Sequence, residues 1–264
     1  MVEKEGRRLT VFLLLLCAHL IGDFLLQNDQ LVTAKNAGRI WAHLKHGLCI
    51  AGLTWLAVHW YGLKPAFWYA ALVGLAHLML DSAKSWLEKG KAPGSKLFLF
   101  LLDQGLHILV LLAFSPLLPA ATPDPKVIAF YQRFRLATPV LAPAAPASLA
   151  VLSLEKMLWV AVTYLAAVFG GAVLTNRILA WLTGDAQEEK TRRLSSAIGI
   201  MERLILITLV AVDAISAVGF VLAAKSLARY QELNKRDFAE YYLVGTLTSF
   251  SLSLFAGLWL KTIL

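Results

Sequence analysis

The sequence predicts an all-α fold: a polytopic transmembrane bundle of six to seven helices, the first four forming a polar-centred bundle. Three observations predict it. Hydrophobic residues make up 58% of the 264-residue chain and charged residues 16%, where water-soluble domains hold about 45–50% and about 25%. The mean hydropathy is +0.65. Apolar runs of membrane-spanning length, roughly 20 residues, recur along the chain with short polar breaks between them. These features exclude a soluble enzyme and leave no room for a separate soluble domain.

Apolar runs and their breaks place helices at 9–27, 39–60, 66–87, 96–118, 155–183, 196–226 and 239–262. The first follows a basic stretch (Lys4, Arg7, Arg8), but His19 and Asp23 interrupt it and no small-residue cleavage site follows. A retained helix is therefore expected rather than a cleaved signal peptide. Tyr61–Pro65, Lys89–Ser95 and Gly184–Arg193 read as turns. Trp41, Trp60, Trp68, Trp86, Trp159, Trp181 and Trp259 fall near helix ends, where an indole suits the headgroup level. Seven prolines in the 34 residues from Ser115 to Ser148 cannot continue a helix. One integral membrane domain is expected over 1–264, with a front half (1–118), a Pro-rich loop (119–149) and a back half (150–264).

Lys and Arg number 25 against 17 Asp and Glu, a net charge of +8. The basic residues sit between apolar runs, so membrane lipids with anionic headgroups are the expected partner and nucleic acid is not. Their counts on the two sides are nearly equal, so the positive-inside rule fixes no orientation. Cys17 and Cys49 lie inside apolar runs and are expected to be buried thiols without a disulfide.

The chemistry is concentrated in the first four helices. His19 and Asp23, His43 and His46, His77 and Asp81, and Asp103 and His107 form one pair per helix at spacings of three or four, which put both members on one helical face. The pairs fall late in helices one and three and early in two and four. With successive helices antiparallel, all four occupy one layer. Ionisable groups in hydrocarbon cost a few kcal/mol or more, so they face a bundle interior and by default serve a function. Imidazoles and carboxylates converging from several helices are the ligand set of bundle metal sites. The eight residues are therefore the expected ligands of one or two divalent metal ions or the orienters around one, and mixed N and O ligation without thiolate suits Zn first, then Fe or Mn, rather than copper or an iron–sulfur cluster. The plain alternative is interhelical hydrogen bonding, worth about 0.6 kcal/mol per bond.

Around this set, Lys84 lies one turn from Asp81, to neutralise it or to bind an anionic group, and Gln27 and Gln104 are placed to orient ligands. His59 is expected at an interface, away from the layer. The back half has no histidine. Glu202 and Arg203 lie one turn into segment six on the side of the layer, whereas Lys225 and Glu240 are expected to pair across the following loop.

The runs Ala18–Gln27, His77–Lys84, Asp103–His107, Ile198–Arg203, Ala223–Tyr230 and Glu240–Thr246 resemble the bacterial integral membrane family catalogued as domain of unknown function 3307. The resemblance implies a multi-pass protein of the bacterial cytoplasmic membrane and no established activity.

Two functions of different class follow. The first is an intramembrane metal-dependent enzyme, a hydrolase acting on a lipid-linked or amphipathic substrate, with Asp103 as base and Lys84, Glu202 and Arg203 completing the catalytic set. The second is a divalent metal ion or proton transporter using the same His/Asp layer. A non-catalytic scaffold or sensor is the third reading. No phosphate-binding loop, Gly-x-Ser-x-Gly elbow or His-Glu-x-x-His motif is present.

Overall fold

The computed structural model describes residues 2–118, 122–133, 154–183 and 189–264, with side chains from residue 8 in the first stretch and from residue 196 in the last. Of the turn expected at 184–193, residues 189–193 are instead helical, the helix there beginning at Glu189, while 184–188 and most of the Pro-rich stretch lie outside the described residues. Among the described residues the structure is helical and contains no strand. The chain divides into two compact units, one of residues 1–89 and 99–162, the other of 90–98 and 163–264.

The first unit opens with α1 (Val2–Leu20), which continues into a π-helical turn, Ile21–Leu25. A short helix follows that the sequence reading took as connection: α2 (Asp29–Asn36). Local chemistry defines both of its ends. Asn28 caps it by accepting from the Leu31 N–H at 2.9 Å, and Gly38, at φ +74°, closes it with bonds from Gly38 N to Lys35 O and from Arg39 N to Ala34 O. Its Leu31 and Ala34 pack on Ala42 at the start of α3 (Ile40–Val58).

Gly62 joins α3 through a 3₁₀ turn to α4 (Leu63–Leu87), which a tight turn links to α5 (Pro93–Phe114). The α3–α4 contact is close because its residues are small. A Cβ on Gly74 would lie 2.7 Å from Ala51 Cβ and 3.1 Å from the Gly47 carbonyl, so the backbones approach as in small-residue membrane packing. Within the Pro-rich stretch, α6 (Pro125–Arg133) corrects the expectation of uninterrupted loop. Pro125 stands where its missing N–H is harmless, and Asp124 caps the helix by accepting from Lys126 N at 2.8 Å. Tyr131 anchors α6: its hydroxyl lies 2.8 Å from Nε2 of His59, whose Nδ1 donates to Leu56 O. His59 is thus buried among protein groups at the end of α3, away from the His/Asp pairs.

The second unit takes over at the end of α7 (Leu154–Tyr164), which belongs to the first unit up to Val162 and passes through a π-helical turn, Leu165–Gly170, into α8 (Gly171–Thr183). The single helix expected over 196–226 is two: α9 (Glu189–Ala211) and α10 (Ile215–Ala228). Asp213 takes φ +64°, and Asp213 N and Ala214 N bond back to Val210 O and Leu209 O, ending α9. Neither Gly nor Pro marks the break. Asp tolerates this left-handed backbone, and apolar residues on both sides conceal it in a hydropathy reading. The last helix is α11 (Arg236–Ile263). Leu206, Val210 and Val218 form the buried core of the α9–α10 hairpin, with Phe250 and Leu254 of α11 packed against it.

Among the described residues five stretches are long and apolar enough to cross a membrane: Arg8–Leu25, Leu63–Leu87, Pro93–Leu117, Leu154–Thr183 and Arg236–Ile263. The outward faces fit that reading. Leu48, Phe67, Trp68, Met79, Trp86, Leu109 and Phe255 are all exposed, and the indoles of Trp41, Trp181 and Trp259 also face outward. The chain has the makings of a multi-pass membrane protein.

Candidate metal centre

The site is built at the end of α1, where the chain leaves the α-helical ladder. The turn Ile21–Leu25 closes with Leu26 N bonded to Ile21 O at 3.0 Å, five residues back, and Asp23 sits in the middle of it. Such π turns insert an extra residue and are frequent at functional sites. Here His19 Nδ1 stands 3.8 Å from Asp23 Oδ1.

Three atoms from three helices surround one point. Asp23 Oδ1 is 3.2 Å from His46 Nε2, His46 Nε2 is 3.0 Å from His77 Nε2, and His77 Nε2 is 3.4 Å from Asp23 Oδ1. Zn–N and Zn–O bonds of about 2.0–2.1 Å at tetrahedral angles separate neighbouring ligand atoms by about 3.3 Å. The triangle therefore has the size of one face of a zinc tetrahedron. His19, Asp23 and His77 also offer ligand atoms within 4.8 Å of one another, which makes His19 the candidate for a fourth position.

The rings pack into one cluster. His107 stacks on His19 with centroids 4.9 Å apart, lies 4.3 Å from His77, and His46 lies 4.9 Å from His77. All four are buried, His46 to 1% exposure. Nε2 of His19 and Nε2 of His107 are buried without a hydrogen-bond partner. A buried imidazole nitrogen left unsatisfied costs about 1–3 kcal/mol, and it is a free donor atom for a ligand or ion.

The other two aspartates differ from Asp23 in having cations. Asp81 receives Lys35 Nζ at 2.6–2.7 Å on both carboxylate oxygens and lies 3.2 Å from His43 Nδ1, and Lys35 also donates to Gln27 Oε1 at 2.9 Å. Asp103 accepts from Lys84 Nζ and Gln104 Nε2 at 3.0 Å each, while His107 Nδ1 donates to the Asp103 carbonyl at 2.8 Å. Asp103 Oδ1 makes no hydrogen bond and lies 3.4 Å from His107 Nδ1. Among the described residues Asp23 is thus the one aspartate of the cluster whose partners are imidazoles only.

All eight sequence-predicted ligands come together, yet the structure sorts them. Asp23, His46 and His77 converge on one point with His19 and His107 against them. His43 and Asp81 are held aside with Lys35, and Asp103 with Lys84. Lys84 pairs with Asp103 rather than Asp81, because the α4–α5 hairpin brings the next helix within reach. Lys35 was missed: it sits in what reads as a connection, and only the Asn28 cap and Gly38 stop mark that stretch as a helix carrying it inward. Glu202 and Arg203 belong to the second unit, with partners there: Lys225 Nζ bonds Glu202 Oε2 at 2.5 Å, and Arg203 Nε donates to Val168 O at 3.0 Å. Lys225 is thus committed to Glu202, and Glu240 accepts instead from Arg236 one turn earlier at 2.9 Å, correcting the expected Lys225–Glu240 pair.

No match was found among curated proteins or among solved structures. The family model described as protein of unknown function (DUF3307) matches residues 11–130, the stretch that carries every His/Asp pair, and the chain is similar to that family over this stretch.

Proposed function

We propose that the first unit holds one divalent metal ion within the membrane on Asp23, His46 and His77, with His19 at or beside the fourth position, and uses it to hydrolyse a lipid-linked or amphipathic substrate. The observation that carries this reading is the triangle of ligand atoms with edges of 3.0–3.4 Å, contributed by three separate helices. The donor set, nitrogen and carboxylate oxygen without thiolate, favours Zn, with Fe or Mn as the alternatives. Asp81 and Asp103, already neutralised by lysines, act around the ion rather than on it. An ion held by these residues would supply Lewis-acid chemistry and would lower the pKa of a water molecule toward neutrality. Asp103 Oδ1, which makes no hydrogen bond, is the base in this scheme, and Lys84, paired with Asp103 and partly exposed, is the cation for an anionic group of the substrate.

An apolar groove of about 560 Å³ along α3 and α4, lined by Leu44, Gly47, Leu48, Gly74 and Leu78, supports a substrate with an acyl body, since Gly47 adjoins the ligand His46. The family resemblance favours the bacterial cytoplasmic membrane as the place of action.

The test is elemental analysis of detergent-purified protein, wild type against Asp23→Asn and His77→Ala. About one Zn, Fe or Mn per chain in the wild type and its loss in both variants is the expected result. No metal in any sample, even after reloading with each ion, sinks the reading. The ring-to-ring contacts linking His46, His77, His107 and His19 favour one second function, a divalent ion or proton transporter. Ion or proton flux into loaded liposomes, abolished in His77→Ala, would select it over hydrolysis.

A further inference from the structure

The second unit contains a cavity of about 300 Å³. On its wall is Arg203, the largest fully buried side chain among the described residues, 2% exposed. Its Nε donates to Val168 O at 3.0 Å and its Nη1 reaches Ser249 Oγ at 3.5 Å, while Nη2 is buried without a partner. The packing makes room for this guanidinium. A Cβ on Gly171 would lie 3.3 Å from Arg203 Cδ, and one on Gly199 would lie 3.2 Å from Nη1. Val168 belongs to the π-helical turn Leu165–Gly170.

The charge count around the cavity leaves Arg203 over. Glu202 pairs with Lys225, and at the rim Arg229 pairs with Glu232 at 2.8 Å. Among the described residues no carboxylate lies within ion-pair distance of the Arg203 guanidinium, and the adjacent Glu202 acts on it only from longer range. A buried cation without its counter-ion is costly, and an arginine fork is suited to a planar or tetrahedral oxyanion.

Two further buried atoms on the same wall have no partner: Thr246 Oγ1 and Glu202 Oε1. The three vacancies differ in kind. Arg203 Nη2 can only donate, Thr246 Oγ1 can donate or accept, and an ionised Glu202 Oε1 can only accept. A ligand that satisfies all three must accept from the arginine and donate to the glutamate. A singly protonated phosphate monoester does both, through its P–O⁻ and its P–OH. An ionised carboxylate or a phosphodiester lacks the donor. The walls add apolar surface from Leu179, Phe238 and Tyr242.

We infer that this cavity is a binding site for a phosphate monoester, held by Arg203, Thr246 and Glu202. The group reaches it on an apolar body, as in a phosphatidate-like lipid, or as free phosphate. The site is separate from the proposed metal centre and stands without it.

The test uses the full chain in phosphatidylcholine nanodiscs, titrated with dioctanoyl phosphatidate, inorganic phosphate, dioctanoyl phosphatidylglycerol and dioctanoylglycerol. Expected is saturable phosphatidate binding stronger than that of the diester or the uncharged lipid, weakened about tenfold or more in Arg203→Gln and several-fold in Thr246→Val. Inorganic phosphate binding as tightly as phosphatidate identifies free phosphate as the ligand. Phosphate binding far more weakly identifies the lipid. If Arg203→Gln fails to fold, judged by size-exclusion and helical circular dichroism, Thr246→Val carries the test. Equal binding of all three lipids, or phosphatidate affinity unchanged in the folded variants, overturns the proposal.

Discussion

Nε2 of His46 and Nε2 of His77 face each other at 3.0 Å, with Asp23 Oδ1 at 3.2 Å from the first and 3.4 Å from the second. Two imidazole nitrogens at this distance cannot both present lone pairs to one another. Either one carries a proton donated to the other, or a cation draws both. With a cation, the ring nitrogens are ligands, and substituting the ion leaves the geometry in place.

Loading the proposed centre with Co(II) is expected to give the visible absorption of a tetrahedral Co(II) site with nitrogen and oxygen ligands. His46→Ala, losing one ligand of a preformed set, should weaken metal retention by about tenfold or more, comparable to or beyond the 10–100-fold seen when only outer-shell partners are removed. Lys84→Met, which alters no ligand, should leave the spectrum in place. Titration of the apoprotein with Co(II) followed by absorption checks both.

Lys35 and Asp81 form a buried ion pair, with side chains 4% and 9% exposed. Lys35→Met leaves a buried carboxylate without its cation and should cost about 3–5 kcal/mol of stability. The double variant Lys35→Met/Asp81→Leu should recover most of that loss, since a hydrophobic replacement of both partners is often neutral. Thermal unfolding in detergent of the two singles and the double provides the cycle.

The α3–α4 contact depends on Gly74. A Gly74→Val side chain would enter the space held by Ala51 Cβ at 2.7 Å and push the two helices apart. Overpacking of this kind costs about 1–3 kcal/mol, and the same separation moves His46 from His77. Lower melting temperature together with reduced metal content is expected. A melting change with full metal retention would mean that the two helices relax without disturbing the ligands.

Asp213 ends α9 at φ +64° and its carboxylate meets Lys261 at the surface, at 2.6 Å. Asp213→Val should destabilise by about 1–2 kcal/mol, the cost of a left-handed backbone for an ordinary residue. Asp213→Gly should fall within about 0.5 kcal/mol of wild type, because an exposed ion pair contributes little. Chemical unfolding of the two variants compares them directly.

The sequence by itself determined the all-α membrane class and the polar layer. Helical periodicity puts His19 with Asp23 and His77 with Asp81 on single faces, and the high cost of ionisable groups in hydrocarbon forces those faces inward. Periodicity within a helix carries no information on which cation meets which carboxylate on the next, because that depends on relative rotation and depth. Only the tertiary structure therefore assigned Lys35 to Asp81, Lys84 to Asp103 and Lys225 to Glu202, leaving Asp23 to the imidazoles. The break at Asp213 and the buried Arg203 have the same origin. A backbone angle and a cavity wall are decided by what packs around them, and hydropathy does not record either.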